Sequence, residues 1–271
     1  MNFELPFIPA RPAKPRNNGI TMVMDKGLSL REVENFIEAN GHLTDIVKFG
    51  FGTSYVSQNL EEKLKLYSEN GIRPYFGGTL FEAFYARGKF EDYLRLMDKY
   101  KLDLAEISDG SIILNHDEKC ELIRRMAKDR TVLSEVGSKD SGILISPNRW
   151  IKMMTTELEA GSWKVIAEGR EAGNVGVFRP NGTAHTMLIN KIIAKVKPDD
   201  ILWEAPQKNQ QVWFIKLFGA NVNLGNIGPH EMIPLECLRL GLRGDTFFDF
   251  LPADYAERLK QVDSDDEEEE M

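Results

Sequence analysis

Cysteine is scarce in this chain: Cys120 and Cys237 are its only two, each inside a helical pattern and neither in a C-x-x-C spacing. That excludes a disulfide framework or a cysteine zinc site, and two isolated thiols fit a reducing compartment. The four histidines, His42, His116, His185 and His230, lack metal-ligand spacing, so packing or surface roles are expected of them. There is no G-x-S-x-G turn, which leaves a Ser-His-Asp hydrolase without its nucleophile elbow. No apolar run is long enough to span a bilayer, and Met1 to Arg16 is proline-rich without the apolar core of a signal peptide; a cytoplasmic protein is expected. Basic charge is lacking as well. The formal net charge is −8, and the last nine residues, Asp263 to Met271, carry seven of the acidic groups, which leaves −1 for the rest. A nucleic-acid binder would need a basic face, and none is indicated.

What is present is a repeating unit. Residues 1–18 hold four prolines, Pro6, Pro9, Pro12 and Pro15, and read as an arm lying on the domain or a disordered lead. From Gly19 a short apolar run, a glycine-containing polar loop and an amphipathic helix recur. The expected strands are Ile20–Asp25, Asp45–Phe49, Ile72–Phe76, Leu102–Ile107, Thr131–Val136, Trp163–Glu168, Ile201–Ala205 and Ala220–Leu224. Helical patterns separate them: Ser29–Ala39, Leu60–Ser68, Phe81–Ala86 with Phe90–Tyr100, Asp117–Lys128, Pro147–Ala160, Ala184–Lys195, Asn209–Phe218 and Ile233–Leu242. Alternating strands and helices require parallel pairing through crossovers, so either a closed barrel or a large open doubly wound sheet is implied.

The alternation within the strands decides between them. An open sheet covered on both faces should be apolar at both parities. Here one parity is apolar (Val47, Phe49, Ala105, Ile107, Val165, Ala167, Trp203, Ala205, Val222, Leu224). The other carries Asp25, Lys48, Glu106, Glu135, Glu168, Glu204 and Asn223 near the strand ends. The stretch Val132 to Asp140 shows the pattern most fully, with Leu133, Glu135, Gly137 and Lys139 on one face and Val132, Ser134 and Val136 on the other. The third strand departs from it with Tyr75 and Gly77. One polar face crowded at strand ends is the pattern of a (β/α)8 TIM barrel, which needs ~250 residues. The expected organisation is an arm over 1–18, a single barrel over 19–250, and a C-terminal extension over 251–271 ending in a solvated acidic tail.

Four glutamates on neighbouring strand ends, Glu106, Glu135, Glu168 and Glu204, cannot all ionise in a partly buried site without a cation. An oxygen-only donor set suits a hard ion, so Mg2+ is the expected cofactor and these four its candidate ligands. Lys48, Lys139, Arg170 and Lys208 are more cations than one metal site uses and point to an anionic substrate bearing phosphate or carboxylate. Gly225 and Gly228 could let backbone amides approach a phosphate. A ladder of structural salt bridges inside the barrel is the bland alternative.

Taken together, the strand-end motifs resemble those of the phosphosulfolactate synthase family. The matching stretches are Val47–Ser54 (VKFGFGTS), Phe76–Glu82 (FGGTLFE), Glu106–Gly110 (EISDG), Leu133–Asp140 (LSEVGSKD), Glu204–Pro206 (EAP), Asn221–Leu224 (NVNL) and Leu238–Arg243 (LRLGLR), and the resemblance spans Pro12 to Phe248. The acidic tail departs from the common core. The resemblance implies a (β/α)8 barrel that adds sulfite to phosphoenolpyruvate with Mg2+, giving (2R)-2-O-phospho-3-sulfolactate on the way to coenzyme M or sulfolactate. It implies small-molecule substrates and a homo-oligomer as partners, with no nucleic acid or membrane. Under that reading Lys139 is the first choice for proton donor and Lys48 the second, on the expectation that neighbouring cations lower a lysine's pKa, with Glu135 and Arg170 beside them. Asp25, Gly77, Gly78, Lys208, Asn223, Gly225 and Asn226 are the expected substrate contacts. An enolase-like barrel using the same carboxylates, or a non-catalytic stress-associated relative, are the competing classes.

Overall fold

The computed structural model describes residues 2–137 and 145–260. Lys139 and the acidic tail therefore lie outside the described residues. Eight short strands, β1 (Thr21–Met24), β2 (Ile46–Phe49), β3 (Arg73–Phe76), β4 (Leu104–Ile107), β5 (Thr131–Val136), β6 (Ser162–Ala167), β7 (Ile201–Glu204) and β8 (Leu224–Ile227), pair in parallel in the order 3-2-1-8-7-6-5-4. Around them pack α1 (Leu30–Asn40), α2 (Thr53–Val56), α3 (Leu60–Glu69), α4 (Gly78–Tyr85), α5 (Phe90–Lys99) and α6 (His116–Met126). They are followed by α7 (Pro147–Glu159), α8 (Thr186–Ile193), α9 (Lys208–Phe218), α10 (Met232–Arg239) and α11 (Ala253–Lys260). Local signals open several of these helices. Ser29 and Glu32 form a reciprocal capping box on α1, Asn115 caps α6, and Ser146 caps α7 with Pro147 in its first turn.

The architecture is a nearly closed TIM barrel. Its two faces follow the strand parity. Val47, Phe49, Ala105, Ile107, Val165, Ala167 and Trp203 belong to the large apolar layer shared with the helices. Ile20, Met22, Ile46, Tyr75, Leu104, Leu133, Ile166 and Leu202 form a separate cluster that fills the barrel's interior. Gly225 belongs to that interior layer, since a Cβ there would lie 2.7 Å from Met22 Cε. Among the described residues no ladder joins β3 to β4. Side chains span that seam instead: Tyr75 Oη donates to Glu106 Oε2 at 2.8 Å, and Arg73 Nη2 reaches Asp103 at 2.9 Å and Thr131 Oγ1 at 2.8 Å.

The arm lies across the opposite, N-terminal end of the barrel. Arg11 donates to Glu236 (2.8 Å), Asn221 (2.5 Å) and the Gly19 carbonyl (3.0 Å), while Arg16 pairs with Asp45 at 2.8 Å. Several strand ends differ from expectation, and two of the differences bear on the site. The last strand begins four residues later than Ala220, because an apolar run does not set its own register and pairing to β1 and β7 does. The first strand stops at Met24. In it Met22 belongs to the interior cluster and Val23 to the helix layer, so Asp25, which shares the parity of Val23, faces the helices.

Candidate active site

At the C-terminal mouth the interior strand positions rise above the apolar layer and become charged. A pocket of about 270 Å³ opens there, lined by Lys48, Glu135, Glu168, Glu204 and Asn226 of the strand ends, by Met24, Gly50 and Phe51, by Thr79 in the first turn of α4, and by the loop residues Ser111, Arg170 and Glu171. Lys48 is 5 % exposed, and its Nζ lies 3.0 Å from Glu106, 3.3 Å from Glu204 and 3.5 Å from Glu135. Burial pushes this ammonium's pKa down, but Glu106, Tyr75, Glu204 and Glu135 outweigh it, so its pKa stands well above the ordinary lysine value. That reverses the expectation of a lysine acidified by neighbouring cations: the neighbours are carboxylates.

Three of the four expected metal ligands come together. Glu135, Glu168 and Glu204 each offer an oxygen within 4.8 Å of the others, and all three are buried. Backbone amides fix two of them: Glu168 accepts from the Arg170 amide at 2.6 Å, and Glu204 from those of Gly169 (3.0 Å) and Arg170 (3.1 Å). Arg170, whose amide meets both carboxylates, itself sits at φ 61°. Gly137, at φ 141°, admits no side chain, because a Cβ there would sit 2.4 Å from the Glu168 Cβ. An all-oxygen, anionic and buried donor set of this kind fits a hard divalent cation. Glu106 is the exception. Its carboxylate accepts from the Gly78 amide (2.6 Å) and Tyr75, and it pairs with Lys48, which ties it to the seam rather than to the cluster.

The remaining expected residues divide. Asn226 lines the pocket at φ 58°, 6 % exposed, with its Oδ1 buried and without a hydrogen-bond partner among the described residues. Gly77 and Gly78 support the site from below; a Cβ at Gly78 would come within 2.2 Å of Ser108 Oγ and 2.7 Å of Glu106. Gly225 lies beneath them in the apolar layer. Three expected substrate contacts are corrected. Asp25 points into the helix layer, where Lys63 (2.8 Å), Tyr67 (3.1 Å) and the Gly27 and Leu28 amides (both 2.8 Å) occupy its carboxylate. Asn223 lies at the other end of the barrel and binds the Ile20 amide and the Asp199 and Ile201 carbonyls. Lys208 begins α9 half-exposed and pairs with Asp245 at 2.9 Å.

Several residues that shape the site were not singled out from the sequence. Tyr75 interrupts the charged parity and turns out to hold Glu106. Thr79, Ser111 and Phe51 lie outside the strands, where no strand period marks them. Lys119 of α6, fully buried, donates to the Glu135 main-chain carbonyl (2.6 Å) and to Asp109 (2.8 Å) and forms an ion pair with Glu157 (2.9 Å), bracing β5 behind the pocket. Burial lowers its pKa and the two carboxylates raise it further, so it stays charged.

With this geometry in hand, comparison with known proteins is decisive: the sequence profile of (2R)-phospho-3-sulfolactate synthase (ComA) matches residues 9–245. The chain belongs to the phosphosulfolactate synthase family. The phosphosulfolactate synthase of Methanothermobacter thermautotrophicus is 41 % identical over 245 residues, covering 88 % of this chain and 95 % of that one. That of Bacillus subtilis is 38 % identical over 244 residues, covering 89 % and 97 %. A more distant relative, Protein HEAT-STRESS-ASSOCIATED 32 of Arabidopsis thaliana, is 21 % identical over 84 % of this chain and 88 % of its own. Among solved structures, 3-hexulose-6-phosphate synthase from Salmonella typhimurium matches with a TM-score of 0.55 at 14 % identity, covering 83 % of this chain and all of that one; the likeness concerns the fold. No helix among the described residues is long and apolar enough to cross a membrane.

Proposed function

We propose that this family member is a Mg2+-dependent phosphosulfolactate synthase that joins sulfite to phosphoenolpyruvate, a carbon–sulfur lyase running in the synthetic direction and serving a coenzyme M or sulfolactate route in the cytoplasm. The observation that carries the reading is the buried triad Glu135, Glu168 and Glu204 facing Lys48 in one pocket. In the reaction the sulfur lone pair forms a bond to C3 of the enol phosphate. The π pair of C2=C3 then moves to C2 and its carboxylate, and C2 takes a proton on one face.

A divalent cation held by the triad would supply positive charge against the electrons that collect on the substrate carboxylate. The protein's own groups supply the rest. The Gly169 and Arg170 amides keep Glu168 and Glu204 aimed inward before substrate arrives. Lys139 is the proposed donor to C2 and Lys48 the second candidate; paired with Glu106, Glu135 and Glu204, Lys48 also offsets their charge. Arg170, with an exposed side chain on the pocket's rim, would meet the phosphate or sulfite oxyanion.

The test is direct. Purified protein incubated with phosphoenolpyruvate, sulfite and Mg2+ should yield a phosphorylated organic sulfonate by mass spectrometry, and removing divalent metal with a chelator should abolish it. Protein that binds phosphoenolpyruvate yet forms no sulfonate under these conditions would refute the synthase assignment.

A further inference from the structure

We propose that Glu82 is a positioning residue for the pocket wall that receives a substrate oxyanion, acting through the loop that carries Ser111 and touching no substrate itself. Glu82 sits in α4, outside the barrel's strands, and is 2 % exposed. A carboxylate buried this deeply is costly unless donors meet it. Here one loop supplies three donors: the Ser108 hydroxyl and the Gly110 amide (3.1 Å) on Oε1, and the Ser111 amide (2.9 Å) on Oε2. The segment leaving β4 thus wraps a fixed anion instead of forming a helix or strand of its own.

Two further contacts make the arrangement rigid. Lys119 holds Asp109 at 2.8 Å, gripping the same loop away from Glu82. Ser108 packs directly on the turn that opens α4, so closely that Gly78 has no room for a side chain. That turn carries Thr79, and Thr79 and Ser111 both line the pocket. The pocket is therefore chemically two-sided, with carboxylates from β5, β6 and β7 on one side and hydroxyl-bearing loops with Lys48 on the other. Arg170 on the rim can meet one substrate oxyanion, and the second side offers hydroxyl and ammonium donors to another. Moving Ser111 by an ångström would weaken that contact, and Glu82 is what fixes its main chain.

The identity of the oxyanion, sulfite or the phosphate of phosphoenolpyruvate, rests on the synthase reading. Glu82→Gln keeps the volume but leaves one oxygen where two are used, so its NH2 must face either the Gly110 or the Ser111 amide. Ser111→Ala removes the hydroxyl and leaves Glu82 in place. Each variant should raise KM for sulfite or for phosphoenolpyruvate about tenfold with kcat within about twofold, and the double variant should be no worse than the more damaged single one, the signature of two residues acting through one contact. Should Glu82→Gln not fold, Glu82→Asp keeps the buried charge, shortens the arm by one methylene and is read the same way. A lowered Tm with both KM values unchanged would reduce Glu82 to a structural role, and effects that multiply in the double variant would show that it does not work through Ser111. If the wild type makes no sulfonate, the synthase reading fails on its own. Calorimetric titration of the same four proteins with phosphoenolpyruvate still decides the role of Glu82, by whether Kd rises in the variants.

Discussion

Replacing Lys48 by methionine tests the electrostatic core of the site. Methionine matches the lysine's reach and fills its space, so the apolar layer below is left intact, but the cation within 3.0 to 3.5 Å of Glu106, Glu204 and Glu135 is gone. Those carboxylates are at most 3 % exposed, so water cannot take over. Removing one partner of a buried ion pair costs roughly 3–5 kcal/mol, because the surviving charge stays desolvated. In a barrel of this size about 1 kcal/mol moves Tm by roughly 2–4 °C, so the variant should melt about 6–20 °C below wild type. Lys65→Met is the matched control: it removes a lysine whose pair with Glu69 at 3.8 Å is largely exposed, and such pairs contribute little. Scanning calorimetry of the three proteins decides the matter, with a second series in Mg2+. A cation bound among Glu135, Glu168 and Glu204 would replace part of the lost positive charge and stabilise Lys48→Met more than wild type. A Lys48→Met variant melting with wild type would mean that the cluster is neutralised by protons, and the account given for the lysine's raised pKa would fall.

Three further outcomes are expected. Lys139→Met should fold as wild type and lose roughly 1–2 kcal/mol of phosphoenolpyruvate affinity, with turnover reduced roughly 100-fold; near-normal turnover in steady-state assays would remove it as the proton donor. Asp25→Asn should destabilise by about 3–5 kcal/mol in urea unfolding, since it strands the fully buried Lys63 ammonium, while kcat and KM of the folded enzyme hold; lost activity at unchanged stability would return Asp25 to the chemistry. Burial, then the nearby Lys119 charge, lowers the His116 pKa below its ordinary 6.5. Below that value the unfolded chain takes up the proton first, so stability falls as pH drops from 6.5 through the lower native pKa. His116→Gln should flatten that slope in unfolding titrations at several pH values, and identical slopes would refute the assignment.

The alternation of charged and apolar residues in the strands was enough to tell a barrel from an open sheet. It also brought Lys48, Glu135, Glu168 and Glu204 to one mouth, because period-two geometry commits every second side chain to the same face. The same rule misled at two positions, for reasons local to each. Asp25 ends an apolar run that does not itself say which parity faces inward; it shares the parity of Val23, which packs in the helix layer, while Met22 fills the interior. Asn223 has the right parity, but β8 starts after it, which puts it at the wrong end of the barrel. Lys208 belongs to a helix start whose nearest acid, Asp245, is 37 residues away in the chain. Tertiary structure alone could decide how the carboxylates divide. Glu106 and Glu135 look alike as sequence, yet Tyr75 and the Gly78 amide draw the first into the seam between β3 and β4 while the second joins the triad. Glu82 was visible as the last residue of the FGGTLFE stretch and part of an apolar helix start, with no role attached to it. Its work depends on a loop 26 to 29 residues downstream folding back onto it, and no local period records a contact across that distance.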